Sequence, residues 1–504
     1  MKPFLLSSIL LAACLGMGCQ TAKGIDNESS STVADTLCGA RFTTSDLALE
    51  RTYRWAQRMA LSYAHPASDL ATAAAAATDP VGPWYEAALP QREAFCMRDV
   101  SHQTVGAQIL GLGRHNRNMM QRFAENITQA KDWCSYWEIN RYNLPAPADY
   151  TNDREFWYNL NANADVLQAC LKLYEWTGDE SYLRDPVLVN FYEKSMNEYL
   201  VHWQLQPERI MDRPQYMHQP VDFDPANNFH ACRGLASYVE NFRRLTVGVD
   251  LIATLYAGHK AYSEMLALTG YHAAGRTYAT QAKAYRSLLD TRWWDESRQR
   301  YHTFWTVDRE FHSGEGEPFI LWFGATDRPE RVRATMRSIL AQEWNVENLS
   351  AFPALFYRLG YVKEAYEKLI ALPDMKRSEY PEVSFGAIEG VVGGVMGIAP
   401  QASKKQIITL PQLLNESDWV TITNLPVFGG TITVKHNGNC WSELVNNTGQ
   451  TVNWQVSFKG KHETFLLGGR SCTASIRTDE TGNVISYVNV KVKNGEKISA
   501  TAST

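Results

Sequence analysis

The lengths of the links between helical segments constrain the fold of this chain more than any other feature of its sequence. Apolar residues at a spacing of about 3.6 predict twelve helices between residues 43 and 398. The predicted helices cover, to within a few residues, 43–63, 100–112, 115–130, 156–177, 180–201, 244–269, 272–291, 317–324, 327–342, 348–359, 361–371 and 384–397.

Short links of two to four residues alternate in this region with long ones, which cover 64–99, 131–155, 202–243 and 292–316. A ring of helical hairpins requires this alternation, because each outer helix runs directly into its inner neighbour at one end, while long loops cross the mouth at the other. Three glycines, Gly178, Gly270 and Gly360, stand where helices end and suit a left-handed turn. The chain is therefore predicted to be mainly α, with an (α/α)6 barrel over residues 43–400.

The pattern changes after Pro400, where short runs alternate between apolar and polar residues. These runs cover 407–410, 419–422, 430–434, 452–456, 463–467 and 484–488, and Asn-Gly, Gly-Gly and Gly-Lys pairs separate them. We expect a small β-sandwich over residues 405–504.

The N-terminus has the features of an export signal. Lys2 precedes an apolar run over 4–13, which is too short to span a bilayer. The run ends in Leu-Ala-Ala-Cys at Cys14, which resembles a bacterial lipobox, and Gly-Met-Gly-Cys at Cys19 is a looser match. We predict a signal region over 1–19 and a flexible tether over 20–42. The protein would then be lipid-anchored to a bacterial membrane, periplasmic or surface-exposed, and an ordinary cleaved signal is the alternative.

Charge and motif content exclude several classes of function. The formal net charge is −5 and both signs are interspersed, so we expect neither nucleic acid nor a polybasic membrane contact as partner. No phosphate-binding loop, HExxH, CxxC or GxSxG motif occurs, and we predict no metal and no cofactor. An odd number of cysteines, seven, follows Cys19; Cys440 and Cys472 share the β region and could form a disulfide.

Residues that precede the inner helices of such a barrel meet at its mouth, so we searched them for chemistry. The candidates are Arg98, Asp99, His102 and Gln103 near the second helix, Asp153 and Arg154 before the fourth, His230, Arg233, Tyr238 and Glu240 before the sixth, Glu317 before the eighth, Glu347 before the tenth and Glu382 before the twelfth. A single acid at a helix start is an ordinary cap. Acids at every inner helix instead suggest glycoside hydrolysis, which needs two carboxyl groups around one bond.

Three stretches carry a resemblance to a known group of enzymes. Met97-Arg98-Asp99-Val100-Ser101-His102-Gln103, the segment from Glu155 to Asp179, and Gly393-Gly394-Val395-Met396-Gly397-Ile398 look like bacterial six-hairpin glycosidases. Within that group the chain resembles most the β-glucuronidase-like enzymes of Bacteroidetes, and rhamnosidases second. The resemblance implies a glycoside hydrolase that releases terminal sugars from polysaccharides.

Inverting relatives place the general acid between helices five and six and the general base between eleven and twelve. By helix count the resemblance assigns these roles to Glu240 and Glu382. Unsaturated glucuronyl hydrolases use earlier aspartates instead, and Asp99 and Asp153 would fill those positions. Glu389 lies two turns further inside the last helix, so we interpret it as buried structure or as a partner of a catalytic group.

The substrate is expected to be an oligo- or polysaccharide with a terminal uronic acid, because cations gather near the predicted mouth. Arg98, His102, Arg141, Arg154, Arg233 and Arg243 are candidates to bind its carboxylate, or else they balance the mouth acids. Trp137 and Trp157 are candidate stacking platforms, beside Trp133, Tyr142 and Trp322.

Two alternatives belong to other classes of protein. A polysaccharide lyase on the same barrel would use Tyr238 with His230 or His102 as base and acid. A glycan-binding lipoprotein without catalysis would need the aromatic residues but no pair of acids.

Overall fold

The structure is a computed structural model that describes residues 39–65, 80–89 and 92–502. The predicted signal region, with Cys14 and Cys19, and most of the predicted tether lie outside the described residues. Within the described residues, no helix combines the length and the apolar character needed to cross a membrane.

Helical segments occur where the spacing of apolar residues predicts them. They are α1 (Leu47–Ser62), α2 (Met97–Ile109), α3 (Gly113–Glu125), α4 (Ala162–Thr177), α5 (Pro186–Met196), α6 (Val249–Leu268), α7 (His272–Leu288), α8 (Glu317–Trp322), α9 (Pro329–Leu340), α10 (Val346–Arg358), α11 (Val362–Ala371) and α12 (Pro381–Glu389). Short helices at Ser181–Arg184 and Glu198–His202 flank α5, and wider π turns extend α7 over Leu289–Trp293 and α12 over Gly390–Val395. The segment predicted as the fifth helix, 180–201, is thus divided by two breaks into α5 and the two short helices. One break lies at Asp185, whose side chain caps α5 directly before Pro186.

The even-numbered helices form a closed ring. Helix α2 packs against α4, α4 against α6, α6 against α8, α8 against α10, α10 against α12, and α12 packs back against α2. The odd-numbered helices pack outside the ring. Helix α1 packs mainly against α12, and each of the others packs against a helix that is its neighbour along the chain. Burial follows this division, because α6 is buried around most of its circumference whereas α3 buries one face.

The turns inside the hairpins are as predicted. Gly178, Gly270 and Gly360 have φ angles of 70°, 95° and 80°. Glycine adopts this left-handed conformation with little strain, because it has no Cβ. The backbone N–H of each glycine then donates a hydrogen bond to a carbonyl in the last turn of its helix.

Two helices begin about five residues later than their apolar spacing indicates. Residues Tyr158–Asn159 pair with Arg233–Leu235, so α4 begins only at Ala162. Leu245–Gly248 pairs with Phe304–Thr306, so α6 begins only at Val249. In both cases a pairing between distant loops overrides the local pattern. The other short strands of the loops are Ala64–His65, Trp84–Tyr85, Ala94–Cys96, Glu138–Asn140, Tyr150–Asn152, Glu155–Phe156, Trp294–Asp295, Arg300–Tyr301 and Phe311–His312.

Two β-sheets follow the ring. Their strands are β1 (Arg41–Thr44), β2 (Ala399–Gln401), β3 (Gln406–Thr409), β4 (Trp419–Val427), β5 (Gly430–Asn437), β6 (Trp441–Asn447), β7 (Val452–Lys459), β8 (Thr464–Leu467), β9 (Arg470–Thr473), β10 (Ser475–Thr478), β11 (Val484–Val492) and β12 (Lys497–Ala502). The seven-stranded sheet has the order β1-β4-β5-β6-β12-β8-β9, and the five-stranded sheet the order β2-β3-β7-β11-β10. Phe458 and Phe465 join the buried faces of the two sheets, with ring centroids 5.1 Å apart.

The first strand corrects the predicted tether. Arg41–Thr44 was divided between the tether and the first helix, yet it pairs antiparallel with β4, with Arg41 opposite Thr423. The N-terminal segment thus forms one edge of a sheet built from the other end of the chain. The ring and the sheets also contact each other directly, because Phe428 donates a backbone hydrogen bond to Trp176 and the His436 ring bonds the carbonyl of Met396.

The disulfide that Cys440 and Cys472 could form is not present, since both cysteines are free. Cys440 precedes β6, and Cys472 lies on β9, three strands away across β12 and β8. Neighbouring strands are about 4.8 Å apart, so the separation is roughly 14 Å. A disulfide spans at most about 7 Å between Cα atoms.

Candidate functional site

A cleft of about 420 Å³ opens at the end of the ring where α2, α10 and α12 begin. We call it the mouth cleft. Its volume falls in the range of small-molecule sites, roughly 300–1,000 Å³. Its lining includes the predicted residues Arg98, Asp99, Trp137, Trp157, His230, Glu240 and Glu382, together with Arg92, Glu138, Asp149, Arg243, Glu347 and Tyr380.

The buried guanidinium of Arg98 lies at the centre of the acids. It contacts Asp99 at 3.2 Å, Glu347 at 2.7 Å and Glu240 at 3.9 Å. Its planar group also lies over the rings of Trp137 and Tyr238, at 5.7 and 5.5 Å from their centroids. One cation therefore gathers carboxylates from the start of α2, from the loop before α6 and from the start of α10.

The loop that carries Glu240 is fixed by the first turn of α6. Buried Asp250 accepts hydrogen bonds from the backbone of Tyr238 at 2.6 Å and from the Ser237 hydroxyl at 2.8 Å. Arg243 donates to the carbonyl of Glu240 at 3.0 Å and closes the turn. Burial raises the pKa of Glu240 above its usual range, and the nearby Arg98 opposes the shift.

Glu382 occupies the first turn of α12, directly after Pro381. Proline suits this position because its missing N–H would have no partner there. Burial raises the pKa of Glu382 to about 8, and the negative charges of Asp99 and Glu347 add to the effect. Burial also raises the pKa of Asp99, and the guanidinium of Arg98 partly offsets it. The cleft thus holds carboxyl groups with unusually high proton affinity, which suits acid/base chemistry near neutral pH.

A second pair of carboxyls lines the same cleft. Glu138 is 1% exposed and lies 3.2 Å from Arg92, which also bonds Asp149. Burial, with a hydrogen bond to Asp149, raises the pKa of Glu138 to about 9. Neither Glu138 oxygen has a hydrogen-bond partner among the described residues outside this pair.

The sequence search did not select Glu138, and it assigned no role to Glu347. Cys96, directly before α2, pairs with Glu138 in a short two-stranded sheet, which brings a distant loop beside Asp99. No spacing along the chain signals that pairing. Glu347 was noted among the acids that precede inner helices, and its contact with Arg98 distinguishes it from an ordinary cap.

His102 lies one turn deeper than Arg98 and does not line the mouth cleft. It borders a smaller cavity inside the ring, 3.6 Å from Asp165 and among the rings of Tyr238, Phe319 and Trp322. Tyr238 itself is buried, and its hydroxyl donates to Asp165. Of the two pairs named for the alternative lyase, Tyr238 with His230 is not assembled, since His230 is exposed at the mouth cleft while the Tyr238 hydroxyl faces the interior. The other pair, Tyr238 with His102, does lie close together, with ring centroids 6.0 Å apart.

Three predicted substrate-binding residues are enclosed by the protein and do not line the mouth cleft. Gln103 is 1% exposed, lines neither cavity, and its side-chain amide has no hydrogen-bond partner among the described residues. Glu317 is fully buried and accepts a hydrogen bond from Ser338 of the outer helix α9. Arg233 bonds the carbonyls of His218 and Asp153 and pairs with Asp132 at 2.7 Å, which leaves its guanidinium enclosed.

Arg141, Asp153 and Arg154 also do not line the mouth cleft. Arg141 pairs with Glu93 at 2.7 Å, and Asp153 accepts a hydrogen bond from Tyr150 within its own loop. Arg154 is exposed at the tip of the turn between two short strands. The loops before α4 are long enough that several of their charged residues extend past the cleft into solvent.

Among residues 39–65, 80–89 and 92–502, no group of three or more His, Cys, Asp or Glu side chains is arranged to hold a metal ion.

Comparison with solved structures finds the same fold in larger proteins. An α-L-rhamnosidase from Dictyoglumus thermophilum superposes with a TM-score of 0.59 at 12% identity, over 92% of this chain and 50% of that one. A rhamnosidase of Bacillus sp. GL1 gives 0.51 at 10% identity, over 82% and 41%. A putative kojibiose phosphorylase from the human microbiome gives 0.52 at 11% identity, over 90% and 63%.

At such identities the likeness is one of fold. This chain spans 41–63% of the length of these structures. No family model matches the chain, and no curated protein matches it by sequence.

Proposed function

We propose that this chain is a glycoside hydrolase built on an (α/α)6 barrel, and that it cleaves its substrate in the mouth cleft. The observation that carries the proposal is the convergence of four carboxyl groups, from Asp99, Glu240, Glu347 and Glu382, on one cleft around Arg98. The fold shared with solved rhamnosidases supports it.

Glu240 and Glu382 are proposed as the reacting pair. Glu240 lines the open cleft and would donate a proton to the leaving oxygen. Glu382 borders both the cleft and the smaller cavity behind it, so it would take a proton from water as that water attacks the anomeric carbon. A carboxylate with a raised pKa is a stronger base once ionised, which suits Glu382 for this role.

A neutral sugar, with an L-rhamnoside as the first candidate, fits the charges of the cleft better than a uronic acid does. Arg98 and Arg92 are each engaged by carboxylates, so neither guanidinium is free for a substrate carboxylate. The remaining acids would repel a uronate, whereas carboxylates accept hydrogen bonds from neutral sugar hydroxyls. Trp157, 8% exposed at the cleft wall, offers a partly accessible ring.

A uronic acid, as in β-glucuronidase-like enzymes, is the second candidate, and one residue favours it. Arg243 lines the mouth cleft, lies over the Phe229 ring at 3.3 Å and forms no ion pair with another described residue. Its guanidinium is therefore available to a substrate carboxylate at the rim.

A panel of nitrophenyl glycosides tests the function and the substrate together. Rhamnosides, glucosides, galactosides and glucuronides of both anomers would be incubated with the purified protein, and nitrophenol release would be recorded. We expect faster turnover of a neutral glycoside than of the glucuronide. An unsaturated product absorbing in the ultraviolet would reveal a lyase, and no release from any glycoside or natural oligosaccharide would contradict the proposal.

We also propose that the chain is exported and lipid-anchored through Cys14 or Cys19. The motifs at the N-terminus support this. Incorporation of labelled palmitate into the wild type, and its loss when both cysteines are changed to serine, would test it.

A further inference from the structure

Two more cavities lie behind the mouth cleft: an inner cavity that adjoins the cleft, and a rear cavity that adjoins the inner one. The inner cavity, of about 40 Å³, lies directly behind the cleft. The rear cavity, of about 440 Å³, lies at the other end of the ring, where α4, α8 and α10 end. The mouth cleft and the inner cavity share Arg98, Asp99, Glu347 and Glu382 as lining residues. The inner and rear cavities share Trp322, Ala354, Leu355 and Glu389.

One stripe of α12 and its π turn follows this sequence of cavities. Glu382, Gly386, Glu389 and Gly393 are spaced by three or four residues, so they share one face of the helix. The first lines the mouth cleft, the next two line the inner cavity, and Gly393 lines the rear cavity. At 1.5 Å per residue the stripe is about 16 Å long.

Charged side chains without hydrogen bonds to other described residues line the inner and rear cavities. Neither Glu389 nor Lys172 forms an ion pair or a side-chain hydrogen bond with another described residue. The two interact with each other over a longer distance, and Glu389 also interacts with His102 and Arg358. Lys172 is exposed into the rear cavity, with its ammonium 5.5 Å from the centre of the Trp322 ring. Charged groups in such positions require water. An inner cavity of about 40 Å³ has room for roughly three water molecules.

We propose that the interior of the ring is a water path that connects Glu382 with solvent at the rear end, and that the water consumed in hydrolysis arrives through it. The inference rests on the proposed function, since a sugar bound in the mouth cleft would block the front route. One water enters for each bond cleaved: its oxygen joins the anomeric carbon, one proton passes to Glu382, and the leaving oxygen takes a proton from Glu240. Glu389, in the partition between the cavities, would hydrogen-bond the passing water.

Gly393 offers a way to close the path. A Cβ there would meet only the Cγ of Glu389, at 3.9 Å, whereas a Cβ at Gly386 or Gly394 would collide with α10. Gly393→Trp should therefore fill the rear cavity without disturbing the ring, and Gly393→Ala is the matched control that leaves the path open. Glu389→Leu would make the partition apolar, and Glu389→Gln would keep its capacity to bind water.

The experiment combines crystal structures of the wild type and Gly393→Trp with steady-state kinetics of all four variants. We expect ordered water from Glu382 to Gly393 in the wild type and an indole in its place in Gly393→Trp. With a glycoside substrate, kcat should fall about tenfold in Gly393→Trp and Glu389→Leu while KM stays unchanged; Gly393→Ala should match the wild type, and Glu389→Gln should keep a higher kcat than Glu389→Leu.

A dry interior in the wild-type crystal would overturn the proposal whether or not the protein hydrolyses glycosides. A filled rear cavity with wild-type kcat would overturn it as well. If no glycoside is cleaved, the proposed function fails, and the crystallographic water still decides whether the path exists.

Discussion

Arg98 donates a 2.7 Å hydrogen bond to Glu347, and this contact fixes the position of the cation around which the other acids gather. The two residues are far apart in sequence, at the starts of α2 and α10. Because Arg98 is 9% exposed, its charge lowers the proton affinity of each neighbouring carboxyl more than a surface arginine would.

Arg98→Met should therefore affect both stability and activity. Without the guanidinium, the acids of the cleft face one another unpaired, and we expect a loss of roughly 3–5 kcal/mol in unfolding free energy at neutral pH. Arg98→Lys keeps the charge and should lose less. Chemical denaturation measures the unfolding free energy of both variants. Equal values for Arg98→Met and Arg98→Lys would contradict a stabilising role for the charge of Arg98.

The neighbours of Glu382 should set the pH dependence of activity. Glu382 must be ionised to act as base, and its pKa of about 8 means that kcat/KM should rise with pH until about that value. The charge of Glu347 raises this pKa, so Glu347→Gln should move the acidic limb of the profile to lower pH. Glu379→Gln, an exposed change in the same segment, is the control. A limb that stays in place in Glu347→Gln would contradict this account.

Glu382→Gln should make the protein more stable at alkaline pH. The folded-state pKa of Glu382, about 8, lies above its unfolded value, so the folded state binds the proton more tightly. Stability is thus present at acidic pH and is lost as pH rises through the folded pKa. Glutamine removes this loss, and we expect a gain of roughly 0.5–2 kcal/mol at pH 9 and none at pH 4. Thermal unfolding at the two pH values measures it; an unchanged Tm at pH 9 would speak against burial of the charge.

Arg243→Met distinguishes the two substrate candidates. If a uronic acid is bound, losing this unpaired guanidinium should raise KM for a glucuronide about tenfold or more. If the substrate is neutral, KM on the rhamnoside should stay near the wild-type value, and any loss of kcat caused by the missing hydrogen bond to the Glu240 carbonyl should be equal on both glycosides. Steady-state kinetics on both glycosides give the answer.

The sequence predicted the ring better than the site. The 3.6-residue spacing of apolar residues and the glycine turns are local signals that predict single helices. The alternation of short and long links then predicts that these helices pair as hairpins. The site depends on contacts between distant loops, such as the pairing of Cys96 with Glu138, and on the direction in which a helix presents a side chain. Glu317 shows the second difficulty, because it starts an inner helix yet points outward to Ser338. The edge strand Arg41–Thr44 was missed for the same reason, since its partner lies at the other end of the chain.

The most direct test of the central claim compares carboxyl variants on the best glycoside from the panel. Glu240→Gln, Glu382→Gln, Asp99→Asn and the control Glu379→Gln would be checked for folding by circular dichroism, and their kcat/KM values measured beside the wild type. We predict that Glu240→Gln and Glu382→Gln each lose at least about a thousandfold, that Asp99→Asn loses less, and that Glu379→Gln is unaffected. Near-normal turnover by both glutamine variants of the proposed pair, with Asp99→Asn inactive, would contradict the account and assign the chemistry to the start of α2.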